Sequence, residues 1–336
     1  MNCRANVVLL CYYIYKDRYM NFRYATIIAA ALMLISCGQR RASNNETTEQ
    51  TATTSTELSF PSTTIPEMVP PADRATYLAE HFWDRFDFSD TTYCNQPDIT
   101  EQAYANYLDI LRYVEPTVAA QSVGALMKSA EVDSTMFDYF VSLTDKYLYD
   151  PNSPFRNDEL LIPALEAMIA SPMLDDVEKI RPQSQLDMAQ KNRIGQKAND
   201  FRYTLHDGST GRMYSIEAEY LIIFINNPDC PACKAIREQI CASPMLSEMI
   251  ERGVMKVLAI YPDEDITAWL NYRHNIPASW INSYDKQLRL RDEELYDLKA
   301  IPSLYLLDSE KRVMLKDCNL VPQIEEAIYY AEQSKQ

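Results

Sequence analysis

Apolar and polar positions alternate with the period of an α-helix over residues 73–194. Apolar side chains recur there every three or four residues, so each set falls on one face of a helix. Asp73 and Asp133 occupy expected N-cap positions, because their side-chain oxygens can accept hydrogen bonds from the first free backbone amides. Helix breaks are expected near three prolines: Pro116, Pro151 and Pro163. This segment is predicted to be an all-α domain.

The period changes to that of β-structure after Gly195. The stretches "DFRYTL" and "RMYSI" flank a glycine-containing turn, which predicts a β-hairpin over residues 200–216. The apolar runs at 220–226 and 254–261 are typical of strands buried on both faces. A helix is expected between them from Pro231, with Ile236, Ile240 and Met245 facing inward. Strand, helix and strand in this order predict a parallel crossover.

The rest of the chain completes an α/β arrangement. Helices are predicted around 266–273, 292–298 and 322–332, with strands at "SLYLLD" and "RVMLKD". The predicted fold class is α+β with two domains. An all-α module occupies residues 73–194, and an α/β sandwich occupies residues 195–336.

The aromatic triplet His81, Phe82 and Trp83 has two interpretations. It forms a ligand-binding face or it belongs to the helical core, and aromatic residues at helical spacing are more often core.

The beginning of the chain resembles an export signal. A short apolar run follows Arg23, and Leu34-Ile35-Ser36-Cys37 resembles the lipobox of bacterial lipoproteins, which implies lipidation of Cys37. The run is too short to span a bilayer. Residues 1–37 are therefore interpreted as a signal peptide with a lipobox, with Met20 as the expected true start. The protein is expected to be exported and lipid-anchored in the outer membrane, facing the periplasm.

Residues 38–72 are rich in Thr, Ser, Glu, Asn and Pro and lack apolar periodicity, so they are predicted to be a disordered tether. The chain carries 48 acidic and 32 basic residues and a net charge of −16, which disfavours nucleic-acid binding. Six glycines in the whole chain form no phosphate-binding loop, and no cofactor or metal is expected.

Two cysteines with two residues between them carry the candidate chemistry. Cys230 and Cys233, separated by Pro231 and Ala232, are compatible with a redox pair, a structural disulfide or part of a zinc site. Zinc is disfavoured because a structural site needs four ligands and the chain has only three histidines. A structural disulfide is disfavoured because so small a loop gains little entropy.

Helix geometry favours the interpretation of Cys230 and Cys233 as a redox pair. Cys230 at the N-cap of the predicted helix would have its thiolate stabilised by free backbone amides and the helix dipole. Cys233 lies one turn later on the same face, where it can resolve a mixed disulfide. Pro231 suits the first helical turn, because its missing N–H is not needed there.

Residues 195–336 resemble the thioredoxin superfamily, specifically its membrane-tethered periplasmic branch. The similarity consists of the leading hairpin, the strand followed by the Cys230–Cys233 turn, the Ile301-Pro302 pair before a strand, and the closing hairpin "LYLLDSEKRV". The helical module resembles an uncharacterised domain that precedes thioredoxin-like domains in lipoproteins of the Bacteroidetes. The resemblance implies a cis bond before Pro302 and a substrate-docking role for this loop.

The stretch also departs from the family pattern. Asp229 stands where the family usually has Trp, and its carboxylate opposes formation of a Cys230 thiolate, which Lys234 offsets in part. Phe224 replaces the buried acid of some members, which leaves proton transfer unassigned between Glu238 and water. Three other cysteines, Cys94, Cys241 and Cys318, are expected to be unpaired, the last two as small buried residues.

The predicted function is thiol-disulfide exchange by a lipid-anchored oxidoreductase, with Cys230 as nucleophile, Cys233 as resolving thiol and Pro302 as docking element. Expected partners are protein or small-molecule thiols and disulfides and an electron donor; reductase, oxidase and isomerase remain alternatives. A second hypothesis is a non-catalytic binding or scaffold lipoprotein. Peroxide reduction ranks last, because Asn227 stands where peroxidatic sites have Thr.

Overall fold

A computed structural model describes residues 58–335 of the chain, which belong to one compact unit, Glu57–Gln336. The predicted signal segment, Cys37 and the first part of the predicted tether lie outside the described residues. Within the described part, no helix is both long enough and apolar enough to cross a membrane.

The first part of the described chain is helical. Its α-helices are α1 (Arg74–His81), α2 (Gln102–Leu111), α3 (Pro116–Ala130), α4 (Ser134–Thr144), α5 (Asp158–Ala170) and α6 (Ile180–Ala189). We call residues 71–190 the helical segment. Asp133 caps α4 by accepting bonds from the amides of Thr135 and Met136, at 2.8 and 3.1 Å. Asp73 occupies the N-cap of α1 without a side-chain capping bond.

Two of the three predicted helix breaks are confirmed: Pro116 follows the end of α2, and Pro151 lies in the irregular stretch before α5. Pro116 begins α3 at its first turn, where a missing N–H is tolerated. Pro163 lies inside α5, so the predicted break there is wrong. Its fully apolar neighbours hold the helix together, since Leu161, Ala164 and Leu165 are all buried.

Aromatic side chains dominate the core of the helical segment. Phe140 is fully buried, and its ring centre lies 5.3 Å from that of Trp83. Trp83 is itself 8% exposed and Phe82 packs against the core partly buried, whereas the His81 side chain is 40% exposed and pairs with Asp84. Phe60, which falls in the predicted tether, packs its ring on Phe82 at 5.3 Å. The core interpretation is therefore confirmed for Phe82 and Trp83 and is wrong for His81.

The second part of the chain is a mixed sheet with helices on its faces. Its strands are β1 (Arg202–Thr204), β2 (Thr210–Arg212), β3 (Tyr220–Ile225), β4 (Met255–Tyr261), β5 (Ile281–Tyr284), β6 (Ser303–Leu307) and β7 (Val313–Cys318). Its helices are α7 (Pro231–Ala242), α8 (Pro244–Glu251), α9 (Ile266–Tyr272), α10 (Arg289–Asp292) and α11 (Val321–Ser334). The strand order is β2-β1-β5-β4-β3-β6-β7.

The central strands explain the continuous apolar runs in the sequence. Every residue of β3 is buried, because β3 lies between β4 and β6 and is covered on both faces. β3, β4 and β5 run parallel, whereas β6 and β1 run antiparallel to their neighbours. The carboxyl ends of the three parallel strands therefore meet at one edge, and Cys230 follows β3 at that edge.

The structure corrects two further elements. The helix predicted at 292–298 is wrong: the short helix α10 ends at Asp292, and the following residues form turns and irregular structure. The helix that begins at Pro231 ends at Ala242, because Pro244 starts α8 with Ser243 as its cap. Met245 therefore belongs to α8, where it packs against the core only partly buried.

Candidate active site

The two cysteines form a disulfide across the first turn of α7. Cys230 is the N-cap residue and Cys233 lies inside the helix, with their Cα atoms 5.2 Å apart. The backbone amide of Cys233 points at the sulfur of Cys230, at 3.1 Å. This amide is one of the free N–H groups at a helix N-terminus, and it stabilises negative charge on that sulfur.

The two sulfurs differ in access to solvent. Cys233 is 2% exposed and belongs to the core below the sheet edge, whereas Cys230 is half-buried. Pro231 and Ala232 between them are exposed, so they leave the approach to Cys230 open. The geometry therefore suits attack by Cys230 on an incoming disulfide and an internal role for Cys233.

The loop that contains Pro302 faces Cys230. The sulfur of Cys230 lies 3.9 Å from the carbonyl oxygen of Ile301, and the Ile301-Pro302 peptide bond is cis. Both residues are half-buried, and Ser303 behind them starts β6 in the core. A backbone edge is thus available beside the sulfur for a bound polypeptide.

Asp229 precedes Cys230 in the left-handed backbone region, with φ of 57°. Asp and Asn tolerate this conformation better than most residues with a Cβ. The side chain is exposed, and the ammonium of Lys234, which was expected to offset its charge, lies 3.8 Å from Glu238. Glu238 is equally exposed on the surface of α7.

We expect Asp229→Asn to make the reduced protein a better nucleophile at neutral pH. The change keeps a residue that accepts positive φ and removes a negative charge next to the sulfur, which favours the thiolate. Loss of a negative charge beside the sulfur should lower the pKa of the Cys230 thiol, so alkylation at neutral pH should become faster. The pH dependence of alkylation by iodoacetamide measures it. Glu238→Gln, farther along α7, is the matched control, and an equal shift in both variants would contradict a local effect of Asp229.

A half-buried contact between two loops has no signal in the sequence. The side-chain amide of Asn227 donates to the carboxylate of Asp263 at 3.0 Å, which joins the loop before Cys230 to the loop after β4.

Phe224, in the position of the family's buried acid, is 1% exposed and contacts Trp280 edge to face, with 6.0 Å between the ring centres. The contact with Trp280 crosses 56 positions and has no local signature in the sequence.

The remaining described cysteines are free. Cys318 is 8% exposed, and burial raises the pKa of its thiol to about 12. Cys241 is exposed, so the prediction that it is a buried residue is wrong: it lies on the outer face of α7, one residue after the buried Ile240. Among residues 58–335, no group of three or more His, Cys, Asp or Glu side chains is arranged to hold a metal ion.

A mixed sheet with a cysteine pair at the N-terminus of the helix after its central strand is the arrangement of a thioredoxin-like protein. The chain is 47% identical to a thioredoxin-like protein from Bacteroides caccae ATCC 43185, with a TM-score of 0.79, over 81% of this chain and 99% of that one. The chain therefore belongs to the thioredoxin-like proteins. The model of a domain of unknown function, DUF5106, matches residues 36–192.

Two further solved structures are similar to parts of the chain. The C-terminal domain of an uncharacterized protein from Bacteroides fragilis NCTC 9343 is 44% identical, covers 41% of this chain and 98% of its own, and has a TM-score of 0.40. The thioredoxin domain of a thiol-disulfide oxidoreductase from Bacteroides vulgatus is 15% identical, over 40% and 96% of the two chains, with a TM-score of 0.34. No curated protein matches the chain.

Proposed function

We propose that the protein is a thiol-disulfide oxidoreductase that exchanges two electrons through Cys230 and Cys233. The observation that carries the proposal is the asymmetry of the pair. Cys230 is half-buried and its sulfur accepts a hydrogen bond from the backbone amide of Cys233 at 3.1 Å, whereas Cys233 itself is buried. The Ile301 carbonyl at 3.9 Å supports it, because it offers a backbone acceptor beside the attacking sulfur.

The exchange consists of two substitutions at sulfur. The Cys230 thiolate attacks one sulfur of a substrate disulfide, a mixed disulfide forms, and the other substrate sulfur leaves as a thiolate. Cys233 loses its proton to solvent and attacks the sulfur of Cys230, which breaks the mixed disulfide and releases the second substrate thiolate. The substrate has gained two electrons, and a separate dithiol donor reduces the protein again. The reverse sequence oxidises a dithiol.

The test is turnover of a protein disulfide, such as insulin, with a dithiol donor. The parent protein should reduce it, and Cys230→Ala should reduce activity to the background of the donor alone. Cys241→Ala is the matched control, because it removes an exposed thiol on the same helix without touching the pair. A parent protein that never exceeds the background would support the alternative function, a non-catalytic binding or scaffold protein.

The proposal includes export and lipid attachment at Cys37, with the outer membrane and its periplasmic side as the site of action. The support is the lipobox-like sequence alone, Leu34-Ile35-Ser36-Cys37. The full chain has a net charge of −16, and so acidic a protein would need a lipid to stay on an anionic membrane. Cys37→Ser should move the protein from the membrane fraction to the soluble fraction, and an unchanged distribution would contradict lipidation.

A further inference from the structure

The chain just before Pro302 has no regular secondary structure of its own. We call residues 294–300 the pre-proline segment; it follows α10, which ends at Asp292, and precedes β6, which begins at Ser303. Because it belongs to neither a helix nor a sheet ladder, its position depends on other contacts. Tyr296 anchors the segment in the sheet core against Phe201 and Tyr305. Further contacts come from the helical segment and from the linker that follows it.

The linker after α6 binds the beginning of the pre-proline segment. The ammonium of Lys191 donates to the carbonyl oxygen of Glu294, and the side-chain amide of Asn192 donates to that of Leu295, each at 2.8 Å. The amide of Asn199 also donates to the Leu295 carbonyl, at 3.0 Å. These donors fix backbone atoms directly, so they restrict the path of the chain and not only the side chains.

A buried ionic cluster holds the centre of the pre-proline segment. Arg156, in the turn before α5, lies 3.8 Å from the carboxylate of Asp297, which also pairs with Lys299. The ammonium of Lys299 stands 4.1 Å from the ring centre of Tyr149 in the helical segment. The side chains of Arg156 and Asp297 are only 14% and 10% exposed, so solvent screens them weakly.

The same arginine reaches the strand on the other side of Pro302. Arg156 forms an ion pair with Asp317 of β7, whose side chain is 5% exposed. β7 pairs with β6, with Cys318 opposite Leu304, two residues after Pro302. Asp317 lies in the left-handed backbone region, with a φ of 48°, and its carboxylate pairs with the guanidinium of Arg156.

We propose that the helical segment positions the Pro302 loop beside Cys230, with Arg156 as the positioning residue that joins both flanks of the loop. This inference rests on the proposed function, since it assigns the helical segment a role in presenting substrate to Cys230. Removal of the guanidinium leaves Asp317 buried without its cation and frees Asp297 from the helical segment. The pre-proline segment then gains freedom to move away from the sulfur.

The first test uses amide hydrogen exchange on the full chain and does not depend on activity. In Arg156→Ala, the amides of Glu294, Leu295 and Lys299, which donate hydrogen bonds in this segment, should exchange at least about tenfold faster, which corresponds to about 1.4 kcal/mol of lost local protection. Arg193→Ala is the matched control, because Arg193 pairs with Glu159 at the helical segment and has no ionic contact with the pre-proline segment within the described residues. Equal effects in both variants, or no effect in either, would overturn the inference.

The second test separates positioning from general destabilisation. Arg156→Ala should raise KM for a protein disulfide about tenfold, because docking geometry is lost, while exchange with the small disulfide dithionitrobenzoate stays within twofold. A merely unfolded fraction would lower both activities in proportion. If the parent exchanges neither substrate, the proposed function fails, and hydrogen exchange still decides the positioning role.

A milder variant covers the case in which Arg156→Ala does not fold. Lys191→Met removes the donor to Glu294 at a side chain that is 30% exposed, so the fold should tolerate it. It should give a smaller change in the same direction, both in exchange of residues 294–300 and in KM for the protein disulfide. Unchanged values for both measurements would contradict the proposal.

Discussion

Cys233→Ala should accumulate a covalent mixed disulfide between Cys230 and a disulfide substrate, whereas Cys230→Ala should accumulate none. The reason is the difference in access: the Cys230 sulfur is half-buried at a helix N-terminus, and Cys233 is 2% exposed. Without Cys233, nothing attacks the mixed disulfide from within the protein, so the intermediate persists. Non-reducing electrophoresis and intact mass measure it after reduced protein is mixed with substrate.

Both variants are best made in a Cys241→Ala background. Cys241 is exposed and would form mixed disulfides of its own, whereas Cys318 stays protonated at neutral pH because burial raises its pKa to about 12. With this background, the remaining cysteines are common to both variants, and the comparison isolates the active pair. Equal trapping by the two variants would assign the adduct to another thiol and contradict the role of Cys230 as nucleophile.

Phe140→Ala should destabilise the helical segment strongly. Phe140 is fully buried, and its ring packs against Trp83, Phe88 and Tyr104 at centre distances of 5.3, 5.7 and 6.1 Å. Loss of a buried phenyl ring removes its transfer free energy and leaves a cavity that helices cannot close. The free energy of unfolding should fall by about 3–5 kcal/mol. Urea unfolding followed by circular dichroism measures the change.

Tyr113→Ala provides the matched aromatic control. Tyr113 is 73% exposed in the turn after α2, so its removal should change the free energy of unfolding by less than about 0.5 kcal/mol. Trp83 fluorescence reports on the helical segment, and Trp269 and Trp280 report on the sheet, since they belong to separate hydrophobic clusters. A loss below about 1 kcal/mol in Phe140→Ala would mean that the cavity closes or that this core contributes little.

Much of the sheet was predictable because local pattern and burial coincide there. The run at 220–226 predicts a doubly buried strand, and β3 is buried at every position. β5 escaped prediction because Asn282 and Ser283 interrupt its apolar pattern. These polar side chains are satisfied by distant partners: Ser283 donates to the carbonyl of Ala259 at 3.0 Å, and Asn282 accepts from Trp269 at 3.2 Å. A pattern of neighbouring residues cannot indicate either of these partners.

The position of the cysteine pair at a helix N-terminus could be predicted from neighbouring residues in the sequence. Two cysteines at helical spacing after an apolar run predict a sulfur at a helix N-terminus, because helix capping is a property of neighbouring residues. The same holds for Asp133, whose carboxylate caps α4 as its position predicts. These features involve atoms a few residues apart, so the chain itself brings them together.

The surroundings of Pro302 depend on contacts between residues far apart in the chain. Arg156 meets Asp297 and Asp317 across more than 140 positions, and the folded arrangement of helical segment and sheet sets that contact. The sequence does not indicate which acid will pair with a given arginine, because the chain has many acids that could form such an ion pair. The place of the two sulfurs at a helix N-terminus therefore follows from short-range order, and the position of the loop that faces them follows from packing.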